Sequence, residues 1–175
     1  MPTEREFEGV RVEAIVGDIT AQADLDAVVN AANAELTTGG GVAGAIHRAA
    51  GPGLDEECRP LAPIRPGEAV ITSGHELPNP HVIHVLGPVY GRDEPSDELL
   101  ASCYREALRL ADERGLSSVG FPAVSTGAFG YPMGEAAVVA VEAIRNAAAD
   151  LTSVRLVRFV LFDQSALDVH GRALG

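Results

Sequence analysis

The stretch VVNAANAELTTGGGVAGAIHRAAG, residues 28 to 51, decides how the rest of the chain is read. It sets two asparagines at the end of an apolar run and three consecutive glycines ahead of a segment of helical composition. Glycine in regular structure costs roughly 0.5–1 kcal/mol relative to alanine, so three in a row need a reason. The reason on offer is close approach. A backbone without Cβ atoms, followed by a helix start at Val42, can aim several amide hydrogens and a helix dipole at an anion.

Working outward, Asp26 to Ala32 reads as a short buried strand, and Val10 to Val16 as a strand with one partly exposed face. A helix over Val42 to Ala50 stops at Gly51-Pro52-Gly53, and a second short helix runs from Leu54 to Leu61. Glu68 to Ser73 and His81 to Leu86 are β-branched runs bounded by turn residues. Ser96 is placed to cap a helix that carries Asp97 and Glu98 in its first turn and ends at Gly115. Ser117 to Pro122 is a strand, Gly134 to Ala149 a helix, Arg155 to Phe162 a strand and Ser165 to Ala173 a final helix. Strands interleaved with helices predict a single α/β domain over residues 1–175, with helices on both faces of a largely parallel sheet.

Composition removes several classes of function. The formal charge is −12, which disfavours non-specific nucleic-acid binding and adhesion to anionic lipid. All 13 basic residues are arginine, so no lysine is present for a Walker-type phosphate loop or a Schiff base. No apolar run approaches the roughly 20 residues needed to cross a bilayer. Cys58 and Cys103 have no paired spacing, which fits a reduced, cytoplasmic protein without a disulfide framework. His81 and His84 are three apart on a strand and point to opposite faces, a poor metal pair. With no HExxH, CxxC or GxSxG present, no metal, cofactor or alternative catalytic constellation is expected.

In open α/β sheets, ligands bind beyond the carboxyl ends of the strands. Three stretches fall there: residues 17–20, residues 30–44 and residues 123–134. The second glycine-rich segment, Ser125-Thr126-Gly127-Ala128-Phe129-Gly130, offers amides from the side opposite Gly39-Gly40-Gly41, and two such loops suit a diphosphate. Gly39-x-Gly41-x-x-Gly44 also matches the dinucleotide fingerprint. Its context does not, because Asn33 to Thr38 intervene after the strand and the downstream acids Asp55, Glu56 and Glu57 lie in a helical segment.

The segments Gly17-Asp18-Ile19-Thr20, Val29-Asn30-Ala31-Ala32-Asn33, Gly39-Gly40-Gly41-Val42, His84-Val85-Leu86-Gly87-Pro88, Ser125 to Pro132 and Val160-Leu161-Phe162-Asp163 together resemble the macrodomain family, over nearly the whole chain. The resemblance implies a three-layer α/β/α sandwich around a mixed, largely parallel six- or seven-stranded sheet. It also implies binding of ADP-ribose, or of proteins and metabolites bearing it, by a monomer. Under it, Asp18 and Ile19 take the adenine end, where Asp18 accepts from the adenine amino group. Phe162 packs on the ring or else belongs to the core. Gly40, Gly41, Val42 and the loop Ser125, Thr126, Gly127, Ala128, Phe129 hold the diphosphate, with Phe129 also bordering the distal ribose. Asn33 binds the hydroxyls of that ribose, while Asn30 ties the loop together. Asn33, His47 and the Gly127 backbone are the catalytic candidates, His47 either supporting the distal ribose or facing solvent.

One position departs from the resemblance. The MacroD class of hydrolases carries an aspartate after GGGV, where this chain has Ala43. A methyl group cannot orient or deprotonate water. Other members with GGGVA resemble active hydrolases that use the substrate's own phosphate, so the two functional readings are an ADP-ribosyl ester hydrolase and a non-catalytic reader of ADP-ribosylated partners.

Overall fold

The computed structural model describes residues 3–175, so the first two residues of the expected domain lie outside it. Seven strands, β1 (Glu4–Phe7), β2 (Val10–Val16), β3 (Ala27–Ala31), β4 (Ala69–Ser73), β5 (His81–Val85), β6 (Ser118–Phe121) and β7 (Leu156–Leu161), form one sheet in the order β1-β2-β7-β6-β3-β5-β4. The inner pairs are parallel, and the outer pairs β1–β2 and β4–β5 are antiparallel. The sheet is therefore mixed and largely parallel, as expected.

Helices α1 (Gly41–Ala50) and α2 (Pro52–Cys58) cover one face, and α3 (Ser96–Glu113), α4 (Met133–Ala148) and α5 (Gln164–Leu174) cover the other. Alternation along each strand builds both cores at once. On β3, Ala27 and Val29 join the core under α3, α4 and α5, while Val28 joins the one under α1 and α2. The result is an α/β/α sandwich whose central strands β3 and β6 are buried on two sides.

Four local expectations are corrected. Glu4–Phe7 is a strand that the sequence reading did not identify; it buries only Phe7 and returns through Glu8 and Gly9, both at positive φ, the requirement of a type I′ hairpin turn. Gly51-Pro52-Gly53 is no simple stop: Gly51, at φ 83°, closes α1 while Pro52 opens α2 in the first-turn position that needs no amide hydrogen. The helix expected to reach Leu61 ends at Cys58 and tightens into a 3₁₀ turn over Arg59–Leu61. Ser96 does not cap α3; the cap position is Pro95, and the Ser96 hydroxyl donates to the Asp93 carbonyl at 2.6 Å.

The sheet opens where the site lies. β3 and β6 pair only at Ala27 with Val119 and Val28 with Gly120, then separate. The chain leaves β3 toward α1 on one face, and leaves β6 toward α4 on the other. That reversal creates a crevice between neighbouring parallel strands at their carboxyl ends.

Candidate functional site

A cleft of about 920 Å³ occupies this crevice, within the size range of small-molecule sites. Its walls come from residues 17–19 after β2, 31–33 after β3, 39–43 at the start of α1, 122–129 after β6, and Val160 and Phe162 at the end of β7. All the candidate residues read from the sequence line it except His47. Gly87, Met133 and Ala166 also line it and were given no role by sequence reasoning. Of these, Gly87 carried a local signal, since Gly87-Pro88 directly follows a strand.

Two amide-rich loops face into the cleft. α1 begins without a side-chain cap and with no acidic residue in its first turn, and Gly41 takes φ 56°. Its first amides therefore point outward with no acceptor among the described residues. Across the cleft, Ser125 adopts φ 67°, and its carbonyl accepts from the Tyr131 amide at 2.9 Å while the Gly130 amide reaches back to Gly127. Among the described residues there is no backbone acceptor for the amides of Gly127, Ala128 and Phe129. Among the described residues, Asp18 is the only ionisable side chain in the lining. An anion held here is held by peptide dipoles.

The ends of the cleft differ. At one, Asp18 Oδ1 accepts from the Thr20 amide at 2.9 Å and from the Thr20 hydroxyl at 2.7 Å. These hydrogen bonds, the hydroxyl's first, hold its carboxyl below the usual carboxylate range and leave Oδ2 free. Phe162 is 93% exposed, which excludes the core role and leaves an aromatic face at the rim of the cleft. Its neighbour Asp163 caps α5 by accepting from the Ala166 amide at 2.8 Å, which fixes the strand end that carries the ring.

At the other end, Asn33 clasps the loop that follows it. Its Nδ2 donates to the Thr37 carbonyl at 2.9 Å and its Oδ1 accepts from the Thr37 amide at 3.0 Å. One Nδ2 hydrogen remains for a ligand. Asn30 is fully buried and lies 3.1 Å from His84 Nδ1. With the Asn30 amide donating there, His84 Nε2 carries the proton and donates to Thr72 Oγ1 at 3.0 Å. The pair ties strand β3 to strands β5 and β4, so Asn30 joins strands and not the loop it was expected to tie; the loop is held by Asn33.

The macro domain family model matches residues 29–140. A macro domain-containing protein of Streptomyces nogalater is 52% identical over 167 residues, covering 92% of this chain and 90% of that protein. The chain belongs to the macrodomain family. Among solved structures, the Oceanobacillus iheyensis macrodomain with ADP superposes with a TM-score of 0.92 at 40% identity, covering 98% of this chain and 93% of that one. The Trypanosoma brucei macrodomain in complex with ADP-ribose gives 0.87 at 38% identity, covering 94% and 69%.

In this macrodomain His47 is buried, not solvent-facing, and lies outside the cleft lining. Burial lowers its ring pKa, partly offset by Asp55, and its Nε2 has no partner. Ala43 is 5% exposed and lines the cleft, so the macrodomain presents a methyl group beside the glycine loop.

Proposed function

We propose that this macrodomain binds ADP-ribose in the cleft and hydrolyses mono-ADP-ribose esters, on acidic side chains or as small species such as ADP-ribose 1″-phosphate or O-acetyl-ADP-ribose. The observation that carries the reading is the pair of unpartnered amide loops facing one crevice whose lining holds no cation. A pyrophosphate bridges them: the α1 amides of Gly41 and Val42 take one phosphate, and Gly127, Ala128 and Phe129 the other. Adenine stacks on Phe162, and its amino group donates to Asp18 Oδ2; guanine would present a carbonyl there and be repelled. The distal ribose reaches Asn33, whose amide both donates and accepts.

For the chemical step, the Asn33 amide and the Gly127 backbone hold the ribose and the attacking water, and His47 supports this end from beneath. With Ala43 in place of a carboxylate, activation of water falls to the substrate's own phosphate. The protein acts as a single-domain monomer in the cytoplasm. This reading is supported by the family membership and by neighbours solved with ADP and ADP-ribose.

Ala43 also favours a second reading, a non-catalytic reader of ADP-ribosylated partners. Incubation with a glutamate-linked mono-ADP-ribosylated protein separates the two. Release of ADP-ribose supports the hydrolase; full retention of the label at high protein concentration, with free ADP-ribose still bound, supports the reader.

A further inference from the structure

Gly44 lies in the first turn of α1, and the space its missing side chain leaves is occupied. A Cβ there would collide with the Gly39 carbonyl and lie 2.9 Å from Arg48 Nη1. The Arg48 side chain, one turn further on, thus folds back toward the helix N-terminus, the direction helical side chains favour, and sets its guanidinium beside the Gly39 carbonyl. Gly39 in turn adjoins Asn33 and Ala43: a Cβ on Gly39 would stand 3.4 Å from Asn33 Nδ2 and 4.0 Å from the Ala43 methyl. Arg48 therefore approaches the Asn33 side of the cleft from outside its lining.

Arg48 is exposed and makes no ion pair with any carboxylate among the described residues. In a chain of net charge −12, a cation left unpaired beside a site whose lining holds no positive side chain is available for an anionic ligand group. Its planar fork suits an oxyanion.

We propose that Arg48 is a specificity-determining residue that favours ligands carrying a phosphate-type oxyanion on the distal ribose over ADP-ribose itself. The inference rests on the placement of ADP-ribose given above. The nucleotide's own diphosphate sits on the amides, so Arg48 reads only what is attached beyond the ribose. Gly44 is the residue that makes this reach possible, because a side chain there would displace the guanidinium.

The test compares binding of ADP-ribose and of its 1″-phosphonate, a linkage that ester hydrolysis does not cleave, to wild type, Arg48→Gln and Arg48→Lys. The expected result is a preference for the phosphonate in wild type that shrinks about fivefold in Arg48→Gln, survives in part in Arg48→Lys and weakens with added salt. An unchanged ratio in Arg48→Gln overturns the proposal. So does a wild-type preference that added salt leaves unchanged, since a contact between an exposed guanidinium and an oxyanion is screened by salt. Failure of wild type to bind either ligand overturns the cleft assignment and this proposal with it, whereas binding of both with equal affinity overturns this proposal alone.

Discussion

Ser125 Oγ occupies the space that a Cβ on Gly87 would fill. The serine is 7% exposed, sits at positive φ and has no hydrogen-bond partner for its hydroxyl, so the loop after β5 and the loop after β6 are locked by shape. Gly87→Ala is expected to cost about 1–3 kcal/mol, the usual range for overpacking, and to weaken ligand binding by moving the Ser125 loop. Ser125→Ala in the same chain should recover part of the loss. Chemical denaturation of the single and double variants checks this, and additive losses would rule out the contact.

Gly41 combines φ 56° with open space where its side chain would project. A β-branched residue there is strained at roughly 1–2 kcal/mol and, on the proposed placement, fills the diphosphate position. Gly41→Val should abolish detectable ADP-ribose binding while the protein remains folded, as read by calorimetry alongside circular dichroism.

The two asparagines of the opening stretch should separate stability from function. Asn30→Ala leaves a buried histidine without its partner and is expected to cost about 1–3 kcal/mol, with affinity of the folded protein changed only a few-fold. Asn33→Ala touches an exposed loop and should alter stability by under about 1 kcal/mol, yet reduce affinity or turnover at least about tenfold. Thermal melts and titrations on the same samples decide between this pattern and its reverse.

Phe162→Ala removes a ring that is almost fully exposed. Its melting temperature should match wild type, and ADP-ribose affinity should fall about tenfold, the scale of lost stacking on a base. A variant of lower stability and normal affinity would return Phe162 to the core.

Acid should destabilise the fold in two stages. Burial first, and the nearby His47 second, push the His84 ring down to about 3, and burial also lowers His47 and His170. An unfolded histidine binds its proton near pH 6.5, so stability is complete above that pH and falls as pH drops toward the folded values. The carboxylates of Asp18, Asp24, Asp26 and Asp112, held low by hydrogen bonds and, for Asp24, the Arg158 ion pair, begin to contribute losses only below about pH 4. Melting temperatures measured from pH 7.5 to 4.5 should decline, and His84→Gln should flatten that decline.

How much of this was readable from the residues follows from the range of the interaction concerned. The β3–glycine–α1 segment announced itself because period-two burial, triple glycine and a helical stripe are local patterns. The strand Glu4–Phe7 was hidden because a solvent-facing edge buries a single side chain and its pairing partner supplies the rest. Burial of His47 was open to inference: it shares the stripe of Ala43, Ile46 and Ala50 on α1. The fit of Ser125 over Gly87, the Asn30–His84–Thr72 chain and the return of Arg48 over Gly44 were not, since each depends on which loops and turns the sheet brings together.

The central claim is that uncharged peptide amides, and no cation, hold the diphosphate. Calorimetric titration with ADP-ribose at low and at high salt tests it most directly. Saturable one-to-one binding whose affinity does not fall as salt rises is the predicted result. Absence of heat at saturating nucleotide, or an affinity that drops steeply with salt as it does for phosphates neutralised by arginine, would contradict it.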